Sequence, residues 1–216
     1  MFNLFRYLVF LIIFIFSTNT IFAQSQINEL EAQYNKTKSG SIERINLAGN
    51  FARALFFNKQ QDKAFRILNE NINYAKKIPD GKYAVVLYTI ASLSYRLIDD
   101  VESSENASKQ AQKYSEKTND LETKGYASYG IGWLKLRNQQ ETEAVKYLLK
   151  ALTYLDKAPI SKSLASKKTA VYLDLNAIYA NWNEYELQEK YSRLALNLAI
   201  QEKKPYEIFN AYMAMG

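Results

Sequence analysis

The chain has 216 residues, of which 48% are hydrophobic and 23% are charged, with only seven glycines, three prolines and a formal net charge of +6. This composition is typical of a folded globular protein and excludes collagen-like and intrinsically disordered classes. Because there is neither cysteine nor histidine, the sequence also excludes disulfides, thiolate catalysis, histidine phosphorelay and most zinc, haem and imidazole-base chemistry.

Residues 1–23 have the plan of an export signal. Arg6 is followed by an apolar run from Tyr7 to Phe16, by a short polar stretch and finally by the small Ala23. This order is typical of a secretory signal peptide. The apolar run covers only about half of a hydrocarbon core of roughly 30 Å. We therefore expect cleavage after Ala23 and a periplasmic or other extracytoplasmic location, with an uncleaved membrane anchor as the alternative.

The rest of the chain has helical periodicity. From position 24 onward apolar residues recur three and four positions apart, as in Ile27, Leu30 and Tyr34, which indicates helices rather than alternating strands. Short polar stretches with turn-forming and capping residues separate the periodic segments. We therefore predict an all-α fold in which successive helices are antiparallel. The predicted helices are 25–37, 42–57, 62–77, 82–97, 101–118, 121–137, 141–156, 162–181, 185–202 and 206–216.

An internal repeat is visible in the first helix of each predicted pair. In every case an apolar residue is followed by a small one, and the small residues are separated by 39, 41, 44 and 40 positions. A period near 40 indicates a stack of similar helix pairs, since a single pair cannot bury its apolar face alone. The apolar-small pairs are Phe51-Ala52, Ile90-Ala91, Ile131-Gly132, Leu175-Asn176 and Met215-Gly216.

At these residues the chain resembles the tetratricopeptide repeat family. Residues 130–157 match its pattern best: Gly132 occupies the close-packing position, Ala144 follows twelve positions later and Ala151 nineteen positions later. Small residues at such positions allow two helix backbones to approach to about 8–10 Å. The resemblance covers about residues 42–216, and its motifs specify a fold rather than a chemistry.

The other repeats match less closely. Gln188 and Asn71 each replace one small residue, in the fourth and first repeats respectively. In the second repeat Ser103 and Gln110 fall on both small positions, whereas neighbouring alanines, Ala107 and Ala111, indicate a shifted register.

The resemblance implies a right-handed α-solenoid of antiparallel helix pairs. Residues 24–40 would be an N-terminal capping helix, and residues 41–216 an array of about four repeats plus the first helix of a fifth, truncated one. A signal peptide followed directly by such repeats resembles the N-terminal extracytoplasmic region of bacterial membrane-bound sensor kinases and regulators. We therefore expect the sensing segment of a larger signalling protein, tethered to the membrane by a later segment. The alternative is a free periplasmic adaptor or assembly factor.

In this family the first helices line a concave groove that binds protein or peptide ligands. Aromatic side chains interspersed with arginine suit such a groove, because they offer rigid contact area and planar donors. The alternative is that these aromatic residues fill contacts between repeats. A joint ligand role is predicted for Arg53, Arg96 and Arg137. The candidate groove residues are Arg53, Phe56, Phe57, Tyr88, Ser92, Tyr95, Arg96, Tyr126, Tyr129, Trp133, Arg137 and Asn181.

No catalytic motif stands out. Gly130-Ile131-Gly132 lacks the third glycine and the preceding strand of a dinucleotide-binding loop. The acidic residues of 99–105 lack the alternating oxygen-ligand spacing of a calcium loop. The basic residues are dispersed, so we expect no nucleic-acid partner. The sequence thus predicts a non-enzymatic segment without catalytic residues, metal or cofactor, although a later domain of a longer protein could be a kinase.

Overall fold

The computed structural model describes residues 25–161 and 163–214, and within them it contains ten helices and no strand. The predicted all-α fold is confirmed, and the predicted helix bounds agree to within three residues at the described ends. The expected signal peptide and the Met215-Gly216 pair lie outside the described residues. The helices are α1 (25–36), α2 (Ile42–Phe57), α3 (Gln61–Ala75), α4 (Lys82–Leu97), α5 (Val101–Ser115), α6 (Leu121–Arg137), α7 (Glu141–Leu155), α8 (Leu164–Asn181), α9 (Tyr185–Gln201) and α10 (Pro205–Met213).

The chain divides into two compact units, the first ending at Lys77 and the second beginning at Ile78. In the first unit α2 and α3 form a packed pair. Helix α1 adds the buried Tyr34, whose ring lies 5.3 Å from that of Phe51. The Tyr34 hydroxyl accepts a hydrogen bond of 2.6 Å from the amide of Asn71. The amide nitrogen of Asn71 is thereby satisfied where the repeat pattern has a small residue, whereas its Oδ1 is buried without a hydrogen bond among the described residues.

In the second unit the helices pack as the sequential pairs α4–α5, α6–α7 and α8–α9, and α10 packs on α9. Each second helix also contacts the first helix of the next pair, as in α5 with α6 and α7 with α8. The first helices α4, α6, α8 and α10 contact one another in order. Antiparallel helix pairs stacked in this way are a tetratricopeptide-like repeat arrangement.

Close packing within the pairs depends on small residues. A Cβ atom added to Gly132 would lie only 2.9 Å from Cγ of Leu148, so α6 and α7 meet there with no room for a larger side chain. Ala144 and Ala151 are fully buried in the same contact, as the repeat pattern predicts.

The α4–α5 pair adopts the shifted register. The buried residues of α5 are Ser104, Ala107, Ser108 and Ala111, whereas Ser103 and Gln110 are only half-buried. Ser92 of α4 donates from its hydroxyl to the Ser104 carbonyl at 2.8 Å, and Ser104 donates to the Ser92 carbonyl at 2.8 Å. These reciprocal bonds satisfy both hydroxyl groups in the contact, which allows two polar residues to be buried there.

The turn inside each helix pair has one recurrent geometry. In the α6–α7 turn Gln139 has a positive φ of 61°, its N–H donates to the Leu136 carbonyl at 3.0 Å, and the Gln140 N–H donates to the Lys135 carbonyl at 2.9 Å. These two bonds form a Schellman motif, whose left-handed residue is usually glycine. The same turn occurs in the α2–α3, α4–α5 and α8–α9 pairs. Their left-handed residues are Lys59, Asp99 and Asn183.

Candidate functional site

Four predicted groove residues lie on one face of α6. Tyr126 and Tyr129 stack with ring centroids 6.3 Å apart and planes inclined by 17°. The Arg137 guanidinium lies 5.0 Å from the ring centroid of Trp133. Tyr126 is buried, Tyr129 and Trp133 are half-buried, and Arg137 is exposed. We call these four residues, together with Asp174 of α8, the α6–α8 surface.

A polar cluster ties α6 to α8 at one end of this surface. Lys167 forms an ion pair of 2.6 Å with Glu122, and its ammonium lies 5.1 Å from the Tyr126 ring centroid. Ser161 donates to Glu122 at 2.6 Å, and Ser163 donates to the same carboxylate. Burial raises the pKa of Glu122, but the hydrogen bonds from Lys167 and the two serines outweigh it and lower the pKa below its ordinary value. Glu122 is therefore anionic and already occupied by partners.

Asp174 is the least satisfied polar group of the α6–α8 surface. Burial raises the pKa of its carboxyl from 3.8 to about 7, although the positive charge of Arg137 and a hydrogen bond with Tyr129 oppose this rise. Burial and the nearby Asp174 charge likewise raise the pKa of the Tyr129 hydroxyl well above its ordinary value. Within the described part of the chain, Oδ2 of Asp174 is buried and accepts no hydrogen bond. A buried acceptor without a donor is costly, so this carboxyl responds to both pH and an incoming donor.

Arg96 is engaged within the chain. Its Nε donates to Oδ1 of Asn138 at 3.1 Å, and one Nη donates to the Arg137 carbonyl at 3.1 Å. The other Nη forms an ion pair of 2.7 Å with Asp99. These bonds join the end of α4 to the turn that follows α6, so the guanidinium holds two repeats together.

Asn181 is engaged in a similar way. Its amide donates to Oε1 of Glu141 at 2.9 Å, while Nε1 of Trp182 donates to Oε2 of the same carboxylate at 2.6 Å. The end of α8 is thereby fastened to the start of α7. These contacts give Asn181 a structural role between α7 and α8, as the preceding ones give Arg96 a structural role between two repeats.

The remaining candidates of the second unit lie along α4. The half-buried Tyr88 stacks on Tyr114 of α5, with ring centroids 5.8 Å apart. Burial and then Tyr114 raise the pKa of its hydroxyl. Tyr95 is half-buried, and Ser92 is buried in the α4–α5 contact described above. Tyr88 and Ser92 thus pack against the second helix of their own pair.

Arg53, Phe56 and Phe57 belong to the first unit. Arg53 is exposed and donates to Oδ1 of Asn50 at 3.0 Å. Phe56 is buried edge-on against Phe65, with centroids 6.0 Å apart, whereas Phe57 is 72% exposed. Phe56 is thus a core residue, and the joint ligand role of the three arginines stays a prediction.

Sequence reasoning missed Asp174 and Lys167. The repeat positions used to select groove residues do not include either one. A signal was present, because Asp174 is the only charged residue between Lys168 and Glu184, in an otherwise apolar and neutral stretch. Such an isolated carboxyl in a helix with two buried faces marks a special environment.

Two further observations bear on the chemistry of the described residues. No group of three or more acidic residues among them is arranged to hold a metal ion. None of the helices that the structure describes combines the length and the apolar character needed to cross a membrane.

The fold is shared with solved structures. A Podosopora anserina protein with nearly identical TPR-like repeats, described as a kinesin light chain, aligns with a TM-score of 0.53 and 18% identity over 81% of this chain and 88% of that chain. A single-substitution variant of it aligns with a TM-score of 0.55 and 18% identity over 81% and 87%. No family model matches this chain, and neither does any curated protein. The chain therefore has a TPR-like repeat fold.

Proposed function

We propose that this chain is a non-enzymatic scaffold that binds a protein or peptide segment on the α6–α8 surface. The observation that carries the proposal is the convergence of Tyr129, Trp133, Arg137 and Asp174 on two neighbouring first helices. Half-buried aromatic rings offer rigid contact area with little loss of side-chain entropy, and arginine and aromatic residues dominate binding energy at protein interfaces. The exposed Arg137 also offers donors to a carboxylate of the ligand.

The competing interpretation is that the rings only pack repeats together. Tyr88 and Phe56 fit that interpretation, since each ring contacts the second helix of its own pair. Trp133 and Arg137 differ, because the guanidinium lies over the indole and is exposed. Unlike Arg96, Arg137 makes no side-chain ion pair or hydrogen bond within the described residues. Its donors therefore remain available to a ligand.

In the test, peptides that bind the wild-type chain are selected from a random library, and their affinity for the Arg137→Glu variant is then measured. We expect at least a tenfold loss, equivalent to about 1.4 kcal/mol. Arg193→Glu is the matched control, because Arg193 is also exposed and pairs with Glu189 on α9. Both variants should keep the wild-type helical circular dichroism. Unchanged affinity of the selected peptides for Arg137→Glu would refute the proposed surface.

Export from the cytoplasm is a separate proposal. The basic, apolar and small-residue order of residues 1–23 supports it. When the full chain is expressed in a bacterium, the mature protein should be found in the periplasmic fraction with a mass that begins at Gln24. An intact N-terminus in the cytoplasmic fraction would contradict export, and an intact N-terminus in the membrane fraction would establish the uncleaved anchor.

We also propose that the chain is the sensing segment of a membrane signalling protein. A signal peptide followed directly by repeats resembles the N-terminal region of sensor kinases and regulators, and this resemblance supports the proposal. The alternative is a free periplasmic adaptor. Fractionation of the native protein in its own cells distinguishes the two, because a sensing segment sediments with the membrane and resists extraction with salt. Recovery in the soluble periplasmic fraction would favour the adaptor.

A further inference from the structure

A cleft of about 110 Å³ lies over α6, between α5 and α7. Among the described helices of the second unit, α5 and α7 both pack on α6 but do not pack on each other. The buried Ala127, Ser128 and Ile131 form the floor of the cleft, and Tyr147 and Tyr154 of α7 form one wall. We call it the α5–α7 cleft.

The α5–α7 cleft and the α6–α8 surface lie on different sides of α6. Ala127 comes two positions before Tyr129, and Ile131 comes two positions before Trp133. At 3.6 residues per turn, two positions correspond to about 200° around the helix axis. The cleft is therefore independent of the proposed peptide-binding surface.

The following repeat shows what fills the equivalent space. Residues of α8 and α9 correspond to residues of α6 and α7 that come 44 positions earlier. Tyr172 therefore takes the place of Ser128, and its buried ring packs 6.1 Å from that of Tyr191, the counterpart of Tyr147. The α5–α7 cleft is thus the space that a tyrosine ring occupies in the next repeat.

The charged groups around the two spaces also differ. Lys168 of α8 forms an ion pair of 2.7 Å with Asp156 and a hydrogen bond with the Tyr172 hydroxyl. Its counterpart in the cleft wall is Lys124, which lies with Lys150 at the cleft but has no ion pair within the described residues. Glu116 also lines the cleft, and the two lysines leave the lining with a net positive charge.

We propose that the α5–α7 cleft binds a tyrosine side chain of a partner protein, with an acidic neighbour of that tyrosine paired to Lys124 or Lys150. The partner would supply the ring and hydroxyl that Tyr172 supplies in the next repeat, and its carboxylate would balance the net positive charge of the lining. An enclosed apolar cavity of about 150 Å³ accommodates a benzene ring, so a cleft of about 110 Å³ that opens to solvent can hold most of a phenol ring. The serine and tyrosine hydroxyls of the lining favour a phenol over an aliphatic side chain.

The probe that tests the cleft is acetyl-Glu-Tyr-amide, titrated into the full chain and followed by amide chemical shifts. Saturable shifts should centre on Ala127, Ser128 and Ile131, and not on Trp133. Acetyl-Glu-Ala-amide should produce no saturable shift there. Acetyl-Lys-Tyr-amide should bind up to about fivefold more weakly, the range of a single exposed charge pair. Equal binding of the alanine probe, or shifts confined to the Trp133 side, would overturn the proposal.

Two variants exchange the residue that leaves this space open in one repeat for the residue that fills it in the next. Ser128→Tyr copies Tyr172 and should weaken binding of acetyl-Glu-Tyr-amide at least tenfold without changing the helical circular dichroism. Tyr172→Ser should create a second site, seen as new saturable shifts at Val171 and Leu175. Unchanged binding to a folded Ser128→Tyr variant would overturn the proposal.

A charge-reversal variant keeps the test independent of packing. Lys124→Glu combined with Lys150→Glu alters only the rim, so the cleft itself should persist even where Ser128→Tyr fails to fold. This variant should prefer acetyl-Lys-Tyr-amide to acetyl-Glu-Tyr-amide, the reverse of the wild-type order. The wild-type order in the folded variant would contradict the assigned role of the lysines.

A second copy of this chain is the competing occupant, because Tyr185 is 68% exposed and lies between Glu184 and Glu186. Analytical ultracentrifugation separates the two cases. A monomeric chain agrees with a tyrosine supplied by a different protein. A dimer dissociated by both Tyr185→Ala and Ser128→Tyr would overturn that assignment in favour of self-association.

Discussion

The α6–α7 and α8–α9 pairs have the same architecture but different interiors. Where α6 carries Gly132 against Leu148, α8 carries Asn176, whose amide donates to the Ser192 hydroxyl at 2.5 Å. Where α6 has Gly130, α8 has Asp174, 44 positions later. The backbone arrangement therefore tolerates polar and apolar interiors alike, provided that a buried polar group finds a partner. Asp174 meets this condition only in part, since it has a hydrogen bond with Tyr129 but its buried Oδ2 accepts none within the described residues.

The largest expected effect is on the pH dependence of stability, through Asp174→Asn. The folded chain keeps the Asp174 proton up to about pH 7, whereas the unfolded chain releases it near pH 3.8. Rising pH therefore destabilises the wild type between these values, by about 1.4 kcal/mol per unit and on the order of 4 kcal/mol in total. The Asp174→Asn variant has no carboxyl to titrate at this position, so its stability does not fall in this way. Urea unfolding from pH 4 to pH 8 should show the variant gaining on the wild type as pH rises.

Asp100→Asn is the control for that experiment. Hydrogen bonds from Ser103 lower the pKa of Asp100, which caps the start of α5. A lowered pKa gives the opposite sign, so the wild type should lose stability relative to this variant only as pH falls through the acidic range. Parallel pH profiles for wild type and Asp174→Asn would show that Asp174 titrates as an ordinary surface carboxyl.

The second-largest expected effect concerns Tyr172 of α8, whose ring fills the space that Ser128 of α6 leaves open. Tyr172→Ser removes a buried ring from its contact with Tyr191 and leaves a cavity, so the free energy of unfolding should fall by about 3 kcal/mol. Ser128→Tyr should instead raise it by about 1 kcal/mol, as cavity filling commonly does. Urea unfolding monitored by circular dichroism measures both. A loss of stability for Ser128→Tyr would mean that the α5–α7 cleft cannot accommodate a ring.

The third effect concerns the polar contact between α8 and α9. Asn176→Ala removes the donor to Ser192 and to the Gln188 carbonyl, which accepts at 3.1 Å. The expected loss is about 1–2 kcal/mol. Asn176→Gly combined with Ser192→Leu copies the Gly132–Leu148 contact of α6–α7 and should be more stable than either single variant, as a double-mutant cycle would show. Additive losses in the double variant would indicate that the two pairs cannot exchange their interiors.

The smallest expected effect concerns the turns inside the two pairs. Gln139→Gly should stabilise the chain by about 0.5–1 kcal/mol, because glycine adopts a positive φ without the steric cost of a side chain. Asn183→Gly should give less, since asparagine tolerates the left-handed region better than glutamine. Gln140→Gly is the neighbouring control, because Gln140 has a φ of −100° and should gain nothing. Equal gains at Gln139 and Gln140 would contradict the conformational explanation.

Much of the fold could be predicted because its signals are local. The three-and-four spacing of apolar residues and the polar breaks between them lie within a few positions of one another, so the helix bounds could be derived directly. The recurrence of small residues near every 40 positions predicted the pairing. The α4–α5 register was harder, because Ser104 is buried only through its reciprocal hydrogen bonds with Ser92.

The candidate site was only partly predictable. Helical periodicity correctly places Tyr126, Tyr129 and Trp133 on one face of α6. It does not reveal that Arg96 bonds to Asn138, a residue 42 positions away, nor that Asp174 lies beside Tyr129. Whether an arginine is available to a ligand depends on what the neighbouring repeat presents to it.

The positions of the helices and the repeat period follow from the sequence alone, because these depend on backbone preferences and on the spacing of apolar side chains along one helix. Which polar side chains are satisfied, and where space remains, depends instead on how the repeats pack against one another. The exchange of Ser128 for Tyr172 is visible in the sequence, but the resulting α5–α7 cleft is not. Its volume depends on how closely three helices approach, which is a property of the packed repeats and not of any one segment.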